Sequence, residues 1–243
     1  MIVEPAPDVH DEMITLLKEE HRLAEQREGM HVSDLVYCLT KSYWKHTDPL
    51  PPSDDEVVMW SIGWGLERVL IPRLHVAPIT VDGITGTPDF ALHGVPADLK
   101  STRMAVESSA GCAVCGEPYV GHSKTKHGHV YEKAPPVQFV MPEGWVRQFM
   151  AYTHMLDTHR FIVVVVHLIP AVMKEYTLHF TEGELEDNWQ WMLDRKSMLE
   201  WMLENKDPRP FESNMEYECA NCSRLLDCQL YMSIKGMRPS GAS

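Results

Sequence analysis

Residues 161–167, Phe-Ile-Val-Val-Val-Val-His, form an unbroken β-branched run with no polar alternation. That is the pattern of a strand buried on both faces. Helical patterns stand on either side of it, at 142–155 and 182–205, and a further strand pattern occupies 172–180. Together they predict an α/β chain with a mixed central sheet flanked by helices. His167, ending the run, reads as a core or edge residue. The 243 residues leave room for one large domain with appendages.

The rest of the chain extends this plan. Residues 11–28 have helical spacing with acidic residues in the first turn. Ser33 is placed to cap a short helix that buries Val36, Cys38, Leu39 and Tyr43, and 47–55 read as a loop. A helix is predicted from Asp55 to Leu70, stopped by Pro72, with Gly63 and Gly65 permitting close approach. Residues 76–101 read as a meander of strands and 104–136 as an insertion. In the last helix, Trp189, Met192, Met198, Trp201 and Met202 are expected in the core.

Within the meander, residues 86–100 read Gly-Thr-Pro-Asp-Phe-Ala-Leu-His-Gly-Val-Pro-Ala-Asp-Leu-Lys. The pattern is a strand carrying Asp89, a tight turn near His93-Gly94, and a strand carrying Asp98 and Lys100. Residues two apart in a strand share a face, so Asp98 and Lys100 fall side by side. Two carboxylates and an ammonium at one spot suit a metal-dependent phosphodiesterase: hard oxygens for Mg²⁺ and a cation for the transition state. Glu67, on the preceding helix, is a candidate third acidic ligand. Gln148 and Tyr152, at i and i+4 of a helix, share a face and could hold a phosphate or nucleotide.

Net charge is −13, which argues against a protein that coats nucleic acid by bulk charge. The acidity is local, however. Residues 1–29, 47–57 and 181–218 carry −5, −4 and −7, which leaves the remainder net positive. The N-terminal residues lack a signal-peptide apolar region and the longest apolar run is too short to span a bilayer. The expectation is a soluble, cytoplasmic protein with no membrane partner.

Six cysteines fall at 38, 112, 115, 219, 222 and 228. In an intracellular chain they point to metal more than to disulfides. Cys112-x2-Cys115, followed by His122, His127 and His129, has the spacing of a zinc knuckle. Lys124, Lys126 and Lys133 make the same insertion a candidate DNA-touching flap. Cys219-x2-Cys222-x5-Cys228 lacks one ligand, and two completions compete. Cys112 and Cys115 could join Cys219 and Cys222, stranding two thiols, or Cys38 could join the C-terminal three, stranding none. Four thiolates suit zinc or an iron–sulfur cluster equally.

The order of these motifs resembles the Cas4/RecB-type branch of PD-(D/E)xK nucleases, whose iron–sulfur members include the AddB nuclease domain and eukaryotic exonuclease V. The resemblance spans residues 31–230, between an N-terminal helix (1–30) and a tail (231–243), with 207–230 as the cluster-binding segment. It implies the PD-(D/E)xK restriction-endonuclease-like core. It implies Asp89 and Asp98 as ligands for Mg²⁺ or Mn²⁺, Lys100 as catalytic lysine, and Gln148 with Tyr152 as the substrate-side pair. It further implies that Cys38, Cys219, Cys222 and Cys228 hold a [4Fe–4S] cluster clasping the two ends of the chain. At the helix position usually occupied by His, this chain has Glu67, and the 112–129 knuckle is an addition. The implied activity is 5′-to-3′ exonuclease action on single-stranded DNA ends, with CRISPR adaptation, phage recombination or repair proteins as partners. Two other classes compete: a catalytically weak DNA-binding partner, and a zinc-ribbon interaction protein.

Overall fold

The structure is a computed structural model that describes residues 7–24, 29–70, 76–102, 107–108, 137–168, 171–208, 218–219 and 222–228. The element order is α1 (Pro7–Ala24), β1 (Met30–His31), α2 (Val32–Val36), α3 (Leu39–Thr47), α4 (Asp54–Leu70), β2 (Ile79–Val81), β3 (Ile84–Gly86), β4 (Phe90–Leu92) and β5 (Val95–Thr102). It continues with β6 (Glu107–Ser108), β7 (Val137–Gln138), α5 (Glu143–Met155), β8 (Arg160–His167), β9 (Val172–His179) and α6 (Glu182–Asn205). None of the described helices is long and apolar enough to cross a membrane.

The expected β-branched strand is β8, and it lies inside a four-stranded sheet of order β4-β5-β8-β9. β5 and β8 pair in parallel and the two outer pairs are antiparallel, so the sheet is mixed. Both faces of β8 are covered. Phe161, Val163 and Val165 enter the main core with Phe149 and Tyr152 of α5 and Trp189, Met192, Leu199 and Met202 of α6. Val164 packs on the other face with Phe90, Ala97, Leu99 and Leu66 of α4.

The strands of 76–101 do not form one meander. β2 and β3 belong to a separate three-stranded sheet in which β1 pairs in parallel with β3, whereas β4 and β5 join the large sheet. Both hairpins close through two-residue turns of positive φ, Asp82-Gly83 (50°, 75°) and His93-Gly94 (52°, 79°). Turns of that hand match the twist of the flanking strands. Asp89 lies just before β4, one residue outside the strand that the pattern assigned to it.

The N-terminal part departs from expectation in its caps. Ser33 falls inside α2, and His31 stands at the cap position instead. Asp34 replaces the expected serine as the organiser: its carboxylate accepts from the His31 amide at 3.0 Å and from Lys45 Nζ at 3.0 Å, with His46 Nε2 at 3.5 Å. Burial opposes charge on Asp34, but the His46, Lys45 and His31 donors outweigh it and hold its pKa at about 2. A folded pKa below the unfolded value stabilises the fold above about pH 4, and that contribution is lost as pH falls through 2. Asp34→Asn should therefore cost about 2 kcal/mol at neutral pH. Urea midpoints of wild type and variant should converge between about pH 4 and 2, and parallel curves would count against this assignment. In α6, Trp189, Met192 and Met202 are buried as expected, whereas Met198 (38%) and Trp201 (37%) are exposed.

Residues 109–136 lie outside the described residues, bracketed by the short β6–β7 pair. The expected zinc knuckle of Cys112, Cys115, His122, His127 and His129, with the flap lysines, therefore also lies outside them.

Candidate active site

β4 pairs with β5 only from Val95 to Ala97, so the β5 edge continues past the end of its neighbour. There the Leu99 amide donates to Asp89 Oδ2 at 2.8 Å, and the Asp89 carboxylate takes the place of a strand carbonyl. The same bond fixes Asp89 beside the β5 residues on which the site depends. Asp98 and Lys100 share a face, as the period of two requires, and Lys100 Nζ lies 2.5 Å from Asp98 Oδ2. This Oδ2 is buried and makes no hydrogen bond beyond its ion pair with Lys100.

A cleft of about 500 Å³ opens over this edge. Its lining includes Glu67, Asp89, Asp98, Lys100, Gln148 and Tyr152, the six residues that the sequence singled out for chemistry. Gln148 Nε2 donates to Tyr152 Oη at 2.7 Å, one helical turn apart on α5. Gly86 explains the placement of that phenol. A Cβ on Gly86 would stand 2.7 Å from Met155 Sδ and 3.0 Å from Tyr152 Cδ1 and Cε1. Gly86→Ala should push Tyr152 out of register with Gln148 and cost roughly 1–3 kcal/mol. Thermal melts test this directly, because an unchanged Tm would mean that the α5 side chains yield freely.

The electrostatics follow from crowding like charges in a part-buried place. Burial raises the Asp89 pKa, as do Asp98 and Glu67, against the opposing pull of Lys100 and the Leu99 amide. Burial works to discharge Lys100, but Asp98, Tyr152 and Asp89 outweigh it, and its pKa rises well above the ordinary lysine value. Burial and Asp98 likewise raise Tyr152, so phenol and ammonium both keep their protons at neutral pH. Two mutually repelling carboxylates, with one buried oxygen that makes no hydrogen bond beyond its ion pair, suit a divalent cation.

The sequence reading missed the outer wall of this cleft, which includes His31, Trp64, Arg68, Thr85 and Thr87. Trp64 stands three residues before Glu67, and that helical spacing was the available signal. Arg68 pairs with Glu20 of α1.

The four cysteines that the second completion groups together are neighbours. Burial raises the Cys228 thiol, as do Cys222, Cys38 and Cys219, to about 11. Burial, Glu218 and Cys219 raise Cys38, which precedes α3 and whose amide donates to Glu218 Oε1 at 3.2 Å. Arg195 of α6 fixes the turn before Cys38 by donating to the carbonyls of Leu35 and Tyr37. Arg224 reaches from the C-terminal segment to Asp48 and stacks over Trp44 at 5.0 Å. Thiols that disfavour one another's ionisation suit a soft metal or cluster, which would draw them to thiolates. Among the described residues, no three His, Cys, Asp or Glu groups are gathered tightly enough to hold a metal ion as they stand. The thiols and the cleft carboxylates are adjacent sets that a bound metal would have to draw closer.

Fold and cleft define a mixed α/β protein with a polar site at a sheet edge. No family model matches the sequence, and no curated protein matches it. Among solved structures, the chain is similar to the crystal structure of SSO0001, with a TM-score of 0.54 at 15% identity over 90% of this chain and 96% of that one. At that identity the likeness is one of fold.

Proposed function

We propose that this chain is a metal-dependent DNA nuclease of the PD-(D/E)xK class, of the Cas4/RecB type, with a four-cysteine [4Fe–4S] clasp. The observation that carries the reading is the convergence of Glu67, Asp89, Asp98, Lys100, Gln148 and Tyr152 on one cleft. They come from α4, the β4–β5 hairpin and α5, which are far apart in the chain.

Glu67, Asp89 and Asp98 are the groups that would hold Mg²⁺ or Mn²⁺, and a bound ion supplies charge neutralisation and an activated water. Lys100 keeps its proton, so it serves as hydrogen-bond donor and counter-charge to the scissile phosphate, not as a base. Asp98 holds that ammonium in place. Tyr152 receives the Gln148 amide proton on its oxygen and is left with its own O–H to donate to a phosphate oxygen. The thiol cluster is structural. It ties α3 to the C-terminal segment, whereas the cleft lies at the β5 edge.

Degradation of end-labelled single-stranded DNA with Mn²⁺, comparing wild type with Asp98→Ala and Lys100→Ala, tests the reading. Wild-type degradation that both substitutions abolish is expected. Equal activity in all three proteins would remove the mechanism.

A further inference from the structure

The cleft's metal and phosphate groups account for only part of its lining. Trp64 is a large aromatic side chain that lines the cleft along with the polar residues Thr85, Thr87, Glu67 and Arg68. Its position follows from how α4 lies on the sheet. A Cβ on Gly63 would stand 3.8 Å from Ser101 Oγ, so α4 meets β5 at this glycine. Leu66 turns to the apolar cluster of Phe90, Leu99 and Val164. At 100° per residue, Glu67, Trp64 and Arg68 then follow one another around the helix away from Leu66. All three line the cleft.

A tryptophan on a helix normally serves the core. Trp44, Trp145, Trp189 and Trp191 do so here, whereas Trp60, Trp64 and Trp201 belong to neither apolar cluster, and of these three Trp64 lines this cleft. It is half-buried, with its surroundings open to the cleft. An aromatic face beside a phosphate-binding site is what a nucleobase recognises, because every base has a π-face to stack. The cleft's ~500 Å³ is the size of a small-ligand pocket. That is room for a ligand of about nucleotide size.

We infer that Trp64 is a base-stacking residue: its indole holds the unpaired nucleobase of a nucleotide whose phosphate reaches Lys100. The inference rests on the nuclease reading for the phosphate half of the ligand, while the base half stands on Trp64 alone.

The test measures binding to the full chain in chelator, which prevents cleavage, by fluorescence anisotropy. The probes are labelled oligothymidylate and an abasic oligomer of the same length. The variants are Trp64→Leu, which keeps an apolar helix-forming side chain without the flat ring, and Trp64→Phe, which restores a ring. Circular dichroism establishes that each variant is folded. Trp64→Leu should weaken oligothymidylate binding roughly tenfold, leave the abasic oligomer at wild-type affinity, and be largely rescued by Trp64→Phe. Equal affinities of wild type and Trp64→Leu for oligothymidylate, or an equal loss on both probes, overturns the stacking role whatever the cleavage assay shows. Ring-dependent binding without Mn²⁺-dependent cleavage leaves the base subsite standing and removes the nuclease mechanism instead.

Discussion

Asp98→Asn and Lys100→Ala should each lower DNA hydrolysis by at least ~10³-fold while affecting stability differently. Both side chains are in the cleft, with Asp98 buried and its Oδ2 2.5 Å from the ammonium. Removing the ammonium takes away the cation paired with buried Asp98 in the metal-free protein. An uncompensated buried charge costs roughly 3–5 kcal/mol. For a chain of this size that is on the order of 10 °C in Tm. Asp98→Asn removes one of the two repelling carboxylates at nearly constant volume, and its stability should stay close to wild type. Parallel activity assays and melts in chelator separate these effects. Inactivity with a large Tm loss in both variants would mean that the pair serves mainly to hold the fold. Full activity in either would end the catalytic assignment.

Replacing Cys228 with serine should have the largest effect on stability. Cys38, Cys219, Cys222 and Cys228 are neighbours although Cys38 lies near one end of the chain and the others near the opposite end. A bound cluster would close a loop of ~190 residues, and for a link of that length the chain-entropy contribution is roughly 5 kcal/mol. The full chain, purified without oxygen, should absorb visible light through its iron–sulfur cluster. Cys228→Ser should lose that absorption and melt on the order of 10–20 °C lower. A colourless wild type containing only zinc would sink the iron–sulfur assignment while leaving the clasp. An unchanged Tm in the variant would sink the clasp itself.

Much of the cleft was legible because its residues obey local periods. Asp98 and Lys100 lie two apart on β5, Gln148 and Tyr152 four apart on α5, and either spacing places side chains together with no knowledge of the rest. Joining those pairs, and adding Glu67, needed tertiary packing, which a family resemblance could suggest but local pattern could not supply. The division of the meander into two sheets was hidden for a different reason. β1, β2 and β3 are two or three residues long, too short to carry a period, and β1 pairs with β3 across more than fifty residues. Trp64 escaped notice because an aromatic on a helix reads as core, which was correct for Trp189 and incorrect for Trp201. Ser33 reads as a cap because serine is a favoured cap residue, whereas Asp34 organises this turn from three residues past His31, with Lys45 and His46 within reach.

The alternation along β5 bears on how the chain finds its fold. Ala97 and Leu99 face Phe90 and Val164, whereas Asp98 and Lys100 face the cleft side. Sliding β5 by one residue against β8 would drive the carboxylate and the ammonium into the apolar layer and turn the leucine toward the polar cleft. Such a misaligned sheet would bury charge without its partners, so it lies far above the native arrangement. The acid–lysine pair therefore acts as an alignment mark during assembly: only the pairing that keeps it at the open edge also completes the hydrophobic layer beneath.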